Sequence, residues 1–402
     1  MTPQVLLIVT LAATDILIGV QSLGVFWPVF VLVALWHFAS KKFHFPIKVT
    51  ELRRSLIMVV LAMALASLTS STAKPTSLAY AAMFLIYGFW LLSSIVTFQL
   101  VDIAKAMKII VLAYFASALT ATLAIAIGLT GFESFLLTRS WTNMNTGESR
   151  PMGFSSEPSY AAFIVVLAWL TLVRLGQIRP MSRNGFVFWT GLTLLSLQLF
   201  GSIYGYLLAM VVVATSISLL PRRTRKLWLI AGSVLGVMVM TYFTFSDNDS
   251  RSLRILRAVF SGDLEIWLSE DTSSFFRFGP TFSYILSANL SDVGTWLGHG
   301  VASSGYFFTD LFRMQIDADK DTIELGFFPA FIYDYGLIAG ALFLVFLYGV
   351  TRGPKRSALG ATFLMLIFNA NFSTQMMWFA ITCGVLSGHL IGANAATKYG
   401  KN

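Results

Sequence analysis

The stretch Arg150-Pro-Met-Gly-Phe-Ser-Ser-Glu157-Pro-Ser159 sets a guanidinium and a carboxylate directly before the apolar run that starts at Tyr160. Those two groups supply the charges of a group-transfer reaction. A carboxylate within hydrogen-bond reach takes the proton of an attacking hydroxyl, and a guanidinium fork stabilises a phosphate or diphosphate as it departs. Gly153, between them, permits a tight turn that would bring both side chains into one pocket. An ionisable pair at the mouth of a membrane span is a functional hypothesis by default. The same residues also read as helix-capping chemistry, with Ser155 or Ser156 as N-cap, Pro158 in the first turn and Glu157 facing the positive end of the macrodipole.

Further polar groups lie downstream. Between Arg251 and Trp267 the apolar residues alternate with Arg251, Arg254 and Arg257, a spacing that predicts an amphipathic helix at the membrane surface. Its arginines either snorkel to lipid phosphates or meet a substrate phosphate. Arg277 stands among aromatic residues, and Pro280 suits the start of a helix from about Thr281 to Leu290. Gly298-His299-Gly300 exposes an imidazole between two glycines, which fits either a turn histidine or a general base. Asp317, Asp319 and Asp321 start a calcium-loop spacing that then fails, because Thr322 stands where a glycine is required and Phe328 where a glutamate is. The single cysteine, Cys383, leaves no disulfide and no thiol-rich metal site. No metal or cofactor is expected.

These residues must be positioned by membrane helices. Of the 402 residues, 56% are hydrophobic and 12% charged, against roughly 25% charged in soluble domains. Apolar runs predict about twelve spans, near 4–20, 24–38, 55–70, 78–97, 108–127, 157–173, 185–200, 203–220, 227–245, 326–349, 358–371 and 376–393. Three pairs come from long runs that must fold back, at Gln21 to Gly24, at Gly201-Ser202 and at Asn371 to Gln375. The net charge of +9 is not a nucleic-acid signal, since the basic residues cluster between spans. With the N-terminus inside, 19 of the 28 Lys and Arg residues fall on the cytoplasmic side, Arg174 among them. Six of the other nine lie in one long loop that the positive-inside rule does not count. The expectation is an all-α polytopic protein, one transmembrane domain over 1–402, both termini cytoplasmic. Its outer face carries a smaller loop at 128–156 and a large helical loop at 246–325.

The stretch Arg150, Gly153, Phe154, Glu157, Pro158, Ser159 resembles the R-x-x-G-F-x-x-E-P-S pattern of O-antigen polymerases (Wzy-type) within the O-antigen polymerase and ligase superfamily. Arg277 in the large outer loop, Leu297 to Gly300 as L-G-x-G, and a following span that opens GFFPAFIYDYGLIAGALF extend the likeness. One polymerase feature is missing: the glycine that follows the loop arginine with ten residues between them is Ala288 here. The resemblance implies a GT-C-like glycosyltransferase of the bacterial inner membrane, metal-independent and active on the periplasmic face. Donor and acceptor would be undecaprenyl diphosphate-linked oligosaccharides, with membrane lipids and a chain-length regulator as further partners. It implies Glu157 as base, His299 as second base or positioning group, and Arg150, Arg254, Arg277 and Tyr160 as substrate-binding residues. An O-antigen ligase, with lipid A-core as acceptor, shares the layout. A transporter of lipid-linked sugars is the alternative of another class, to which only Asp15 in the first span points.

Overall fold

The computed structural model describes residues 2–13, 50–69, single turns within 78–88, 98–128, 140–142, 149–178 without 156, 181–219, 225–226, 230, 284–285, 288–312 without 302, 325–352, 356–369 and 375–390. The described chain is mostly helical. In order the elements are α1 (Pro3–Ala12), α2 (Thr50–Thr69), α3 (Leu100–Ala126), β1 (Ser140–Thr142), β2 (Ser149–Pro151), α4 (Pro158–Ile178), α5 (Arg183–Phe200) and α6 (Ile203–Ser218). They continue with α7 (Val293–Leu297), α8 (Ser303–Phe312), α9 (Phe327–Val350), α10 (Arg356–Asn369) and α11 (Gln375–Val385), which ends in a π-helical turn over Leu386–Leu390.

Four of these are long and apolar enough to cross a membrane: α2 over Glu51–Thr69, α3, α4 and α9. Shorter apolar helices run over Tyr204–Ser218, Arg356–Asn369 and Met376–Gly388. By length and composition the chain is suited to a bilayer. Its helices also handle polar side chains as apolar surroundings demand: Ser67, Thr171, Ser196 and Thr382 each donate a hydroxyl to the carbonyl four residues back. The expected spans at 24–38 and 227–245, and most of that at 78–97, lie outside the described residues, as do Asp15, Asp317, Asp319 and Asp321.

Burial separates the helices by role. In α4, 83% of the central window is enclosed by protein, against 39% in α2 and in α3. α4 is therefore the central post, and α3, α5, α6, α10 and α11 pack around it. Gly205 lets α6 approach closely, since a Cβ built there would touch Ala162 of α4 at 3.7 Å. A second group forms along α9, against which α2, α7, α8 and α10 pack. Its core is aromatic: Phe327, Phe331 and Phe343 lie with Phe84 at centroid distances of 5.1–6.5 Å, and Trp378 of α11 meets Phe84 edge-on at 5.1 Å.

Several expectations need correction. α3 begins well before position 108, because Lys105 and Lys108 are good helix formers and do not stop it. At 27 residues it spans about 40 Å, longer than a hydrocarbon core of about 30 Å. The fold is not purely α: β1 and β2 pair antiparallel, Trp141 opposite Arg150, in three-residue strands too short to show a period of two. Arg174, expected in a loop between spans, is instead a buried residue of α4. α4 continues to Ile178, so Arg174 is only 1% exposed; its Nη1 donates to Ser387 Oγ (2.9 Å) and its Nη2 to the Arg352 carbonyl (2.6 Å). The reversal at Gly201-Ser202 is as expected: Gly201 caps α5 in the left-handed region at φ 58°, and Ser202 accepts the Gly205 N–H to start α6.

Candidate active site

The first candidate surrounds the mouth of α4. β2 ends at Pro151, and Gly153 turns the chain at φ 60°. A Cβ at Gly153 would lie 2.8 Å from Tyr114 and 3.8 Å from Phe200, so the turn is seated against α3 and α5. Phe154 meets Tyr114 edge-on at 5.5 Å, while the Tyr114 hydroxyl donates to the Ala12 carbonyl at 2.6 Å. Tyr114 stands twelve positions before the end of α3, about 18 Å along its axis, so the turn sits well inside the end of that helix.

Here the capping expectation changes. Glu157 itself occupies the N-cap position: its carbonyl accepts the N–H groups of Tyr160 and Ala161, and Pro158 follows as the first helical residue. Ser155 is buried and does not receive a helix N–H. Its hydroxyl lies 2.7 Å from the Met152 carbonyl and 2.8 Å from that of Glu157, tying the turn to the helix start. Ser156 lies outside the described residues. The Glu157 carboxylate accepts the Ser159 hydroxyl at 3.0 Å and is half-buried. One oxygen is thereby held at the positive end of α4, which orients the group as a proton acceptor.

Arg150 is also half-buried and lies on β2 facing the α5–α6 turn, where a Cβ at Gly201 would come 4.0 Å from its Cδ. Tyr160, expected to touch substrate, is only 2% exposed and belongs to the core. The reason is the enclosure of α4, whose side chains are buried from Pro158 through Leu175.

The second candidate is a break in α9. Gly336 has φ 81° and ψ 168°, a region open to glycine alone, and the helix is interrupted there. The carbonyls of Tyr333 and Asp334 turn instead to the loop after α7, accepting the N–H groups of His299 (3.1 Å) and Gly300 (3.0 Å). The two segments touch backbone to backbone. A Cβ at Gly298 would fall 2.3 Å from the Asp334 carbonyl oxygen, and one at Gly336 would fall 2.2 Å from that of Trp296.

His299 is held by one ring face and by Nδ1, and its side chain remains 29% exposed. Its ring stacks on Tyr333 at 4.3 Å, and Tyr333 stacks in turn on Phe307 at 4.6 Å. Its Nδ1 lies 3.2 Å from the Tyr333 carbonyl, which can only accept, so Nδ1 carries a proton. Nε2 then points to Asp292, whose Oδ2 is 3.6 Å away while Oδ1 caps α7 through the Gly294 N–H. Gly294 leaves room for this ring, since a Cβ there would lie 2.7 Å from Nε2. Burial pushes the neighbouring Tyr284 phenol above its ordinary value, and the Asp292 carboxylate adds to the rise.

Asp334 was not foreseen. It is 4% exposed, and its Oδ1 accepts the Ser304 N–H (3.0 Å) and the Ser303 hydroxyl (3.2 Å), so a carboxylate from α9 caps α8. The signal was available: one aspartate inside a membrane span, two residues before a glycine. Of the helix expected from Thr281 to Leu290, residues 284 and 285 are helical but residues 288–290 are not, so it stops short of Leu290, and α7 and α8 are short helices that periodicity did not reveal.

Arg254 and Arg277 lie outside the described residues. Among the described residues no group of three or more His, Cys, Asp or Glu side chains is placed to hold a metal ion. No family model matches the sequence, and no curated protein matches it either.

Proposed function

We propose that the chain is a polytopic glycosyltransferase of GT-C type that polymerises undecaprenyl diphosphate-linked repeat units on the periplasmic face of a bacterial inner membrane. The observation that carries this reading is the mouth of α4. There the residues that resemble the polymerase pattern form one local unit, with Glu157 at the helix start, Gly153 in the turn and Arg150 on the adjoining strand.

In the proposed reaction a hydroxyl of the incoming lipid-linked unit attacks the anomeric carbon of the growing glycan. The bond from that carbon to the donor diphosphate breaks, and the hydroxyl proton passes to Glu157. The diphosphate leaves with its electron pair and its negative charge. Arg150, with Arg254 and Arg277 from the large outer loop, supplies positive charge to it. His299, its Nδ1 proton fixed by a carbonyl, is the alternative base or positions the acceptor.

A transporter reading draws on the broken helix α9, a device that transporters use to free backbone carbonyls for ions. It ranks below the glycosyltransferase readings because the carbonyls of Tyr333 and Asp334 already accept the N–H groups of His299 and Gly300. A ligase remains the alternative within the same chemistry. Loss of a ligase leaves lipid-linked polymer unattached, whereas loss of a polymerase leaves single repeat units on the core.

The deciding experiment supplies purified full-length chain with a lipid-linked repeat unit, wild type beside Glu157→Gln and Arg277→Ala. A ladder of products is expected from wild type alone. A ladder that persists in both variants overturns the site, and no ladder from folded wild type overturns the polymerase.

A further inference from the structure

At the opposite end of α4 from Glu157, a groove of about 530 Å³ opens between α3, α4 and the start of α5. That volume lies within the range of small-molecule sites. Its walls are apolar, formed among others by Ile109 and Leu112 of α3 and Leu172 and Leu175 of α4. Two cations interrupt them, Lys105 and Lys108, one turn apart on α3. Among the described residues no acidic side chain lines the groove, and neither ammonium forms an ion pair with a carboxylate. Lys108 instead sits over the Trp189 ring, 5.8 Å from its centroid.

The surroundings identify the medium. Val101, Leu112 and Phe188 are 50–56% exposed around this groove, as side chains facing hydrocarbon are. A lysine pair and a tryptophan at the end of apolar helices match the headgroup level of a bilayer. Gly176 opens the groove floor, since a Cβ built there meets nothing within 4 Å.

We infer that this groove is a specific site for one anionic phospholipid, its phosphate held by Lys105 and Lys108 and an acyl chain laid along Ile109, Leu112 and Leu172. Charge complementarity selects the occupant: a zwitterionic lipid brings no net negative charge to two uncompensated ammonium groups. The site is independent of the reaction proposed for the other end of α4.

The test uses native mass spectrometry of the full-length chain in detergent, titrated with dioleoyl phosphatidylglycerol or dioleoyl phosphatidylcholine. Wild type should retain the anionic lipid at least about tenfold better, as two interfacial lysines imply. Lys105→Ala with Lys108→Ala should abolish that preference, and the double arginine variant should restore it. Gly176→Phe, which fills the groove without striking backbone, should lower retention of both lipids while the melting temperature is kept. Equal retention of both lipids by wild type overturns the proposal, as does a preference that survives in the double alanine variant. Full displacement of phosphatidylglycerol by millimolar inorganic phosphate also overturns it, since the site would then hold phosphate without a lipid.

Discussion

The mouth of α4 and the break in α9 each set a glycine turn beside a carboxylate, yet they are assembled in opposite ways. At the mouth of α4 the hydrogen bonds that shape the turn and the helix start run between residues at most four apart, from Met152 to Ser155 and from Glu157 to Ala161. At the break the bonds join residues thirty or more positions apart, His299 to Tyr333 and Ser304 to Asp334. The turn glycines differ in the same sense. Gly153 faces the Tyr114 ring, which can move; Gly336 and Gly298 face backbone, which cannot. A local turn thus tolerates change through its neighbours' rotamers, and a non-local one transmits change to a second segment.

The sharpest way to break this contrast is Gly336→Ala. Its backbone region excludes a Cβ and the nearest atom is a carbonyl oxygen, so a loss of about 3 kcal/mol or more is expected, seen as a collapse of the melting temperature in detergent. Asp334→Ala should cost about 1–3 kcal/mol by leaving the Ser304 N–H buried without an acceptor. Hydrogen exchange should then rise in α8 before it rises elsewhere, while Asp334→Asn keeps an acceptor and should lose less. Gly153→Ala should cost about 1–2 kcal/mol, since its φ is left-handed but the ring of Tyr114 can give way. A melting temperature lower for Gly153→Ala than for Gly336→Ala would reverse the comparison. The smallest effect belongs to the exposed pair Arg352–Glu51 at 2.7 Å, where Glu51→Ala should change stability by less than about 1 kcal/mol and lose that effect in high salt.

Legibility in the sequence followed the same division. Arg150, Gly153 and Glu157 could be singled out because they are neighbours along the chain, and the turn, the proline start and the reversal at Gly201-Ser202 all follow from local rules. Two details still went astray. The carbonyl geometry made Glu157 the cap in place of Ser155, and the two three-residue strands carried no period to detect. The break in α9 was missed although its residues were in view. A glycine in an apolar run is ordinary in membrane helices, and only contact with the loop at 296–300 shows that Gly336 leaves helical geometry.

Apolar runs and proline and glycine punctuation sufficed to place most of the described helices, because each is set by free energies that act within a few residues or between one helix and its solvent. Which helix is enclosed could not be read that way. α3 and α4 are similarly apolar, yet packing leaves one half-open and buries the other, and that choice buries Arg174 and Tyr160. Tertiary contact also decided what Asp334 caps, which nitrogen of His299 faces the Tyr333 carbonyl, and where Lys105 and Lys108 stand in an apolar groove. Each depends on groups distant in the chain, and their arrangement exists only once the helices have packed.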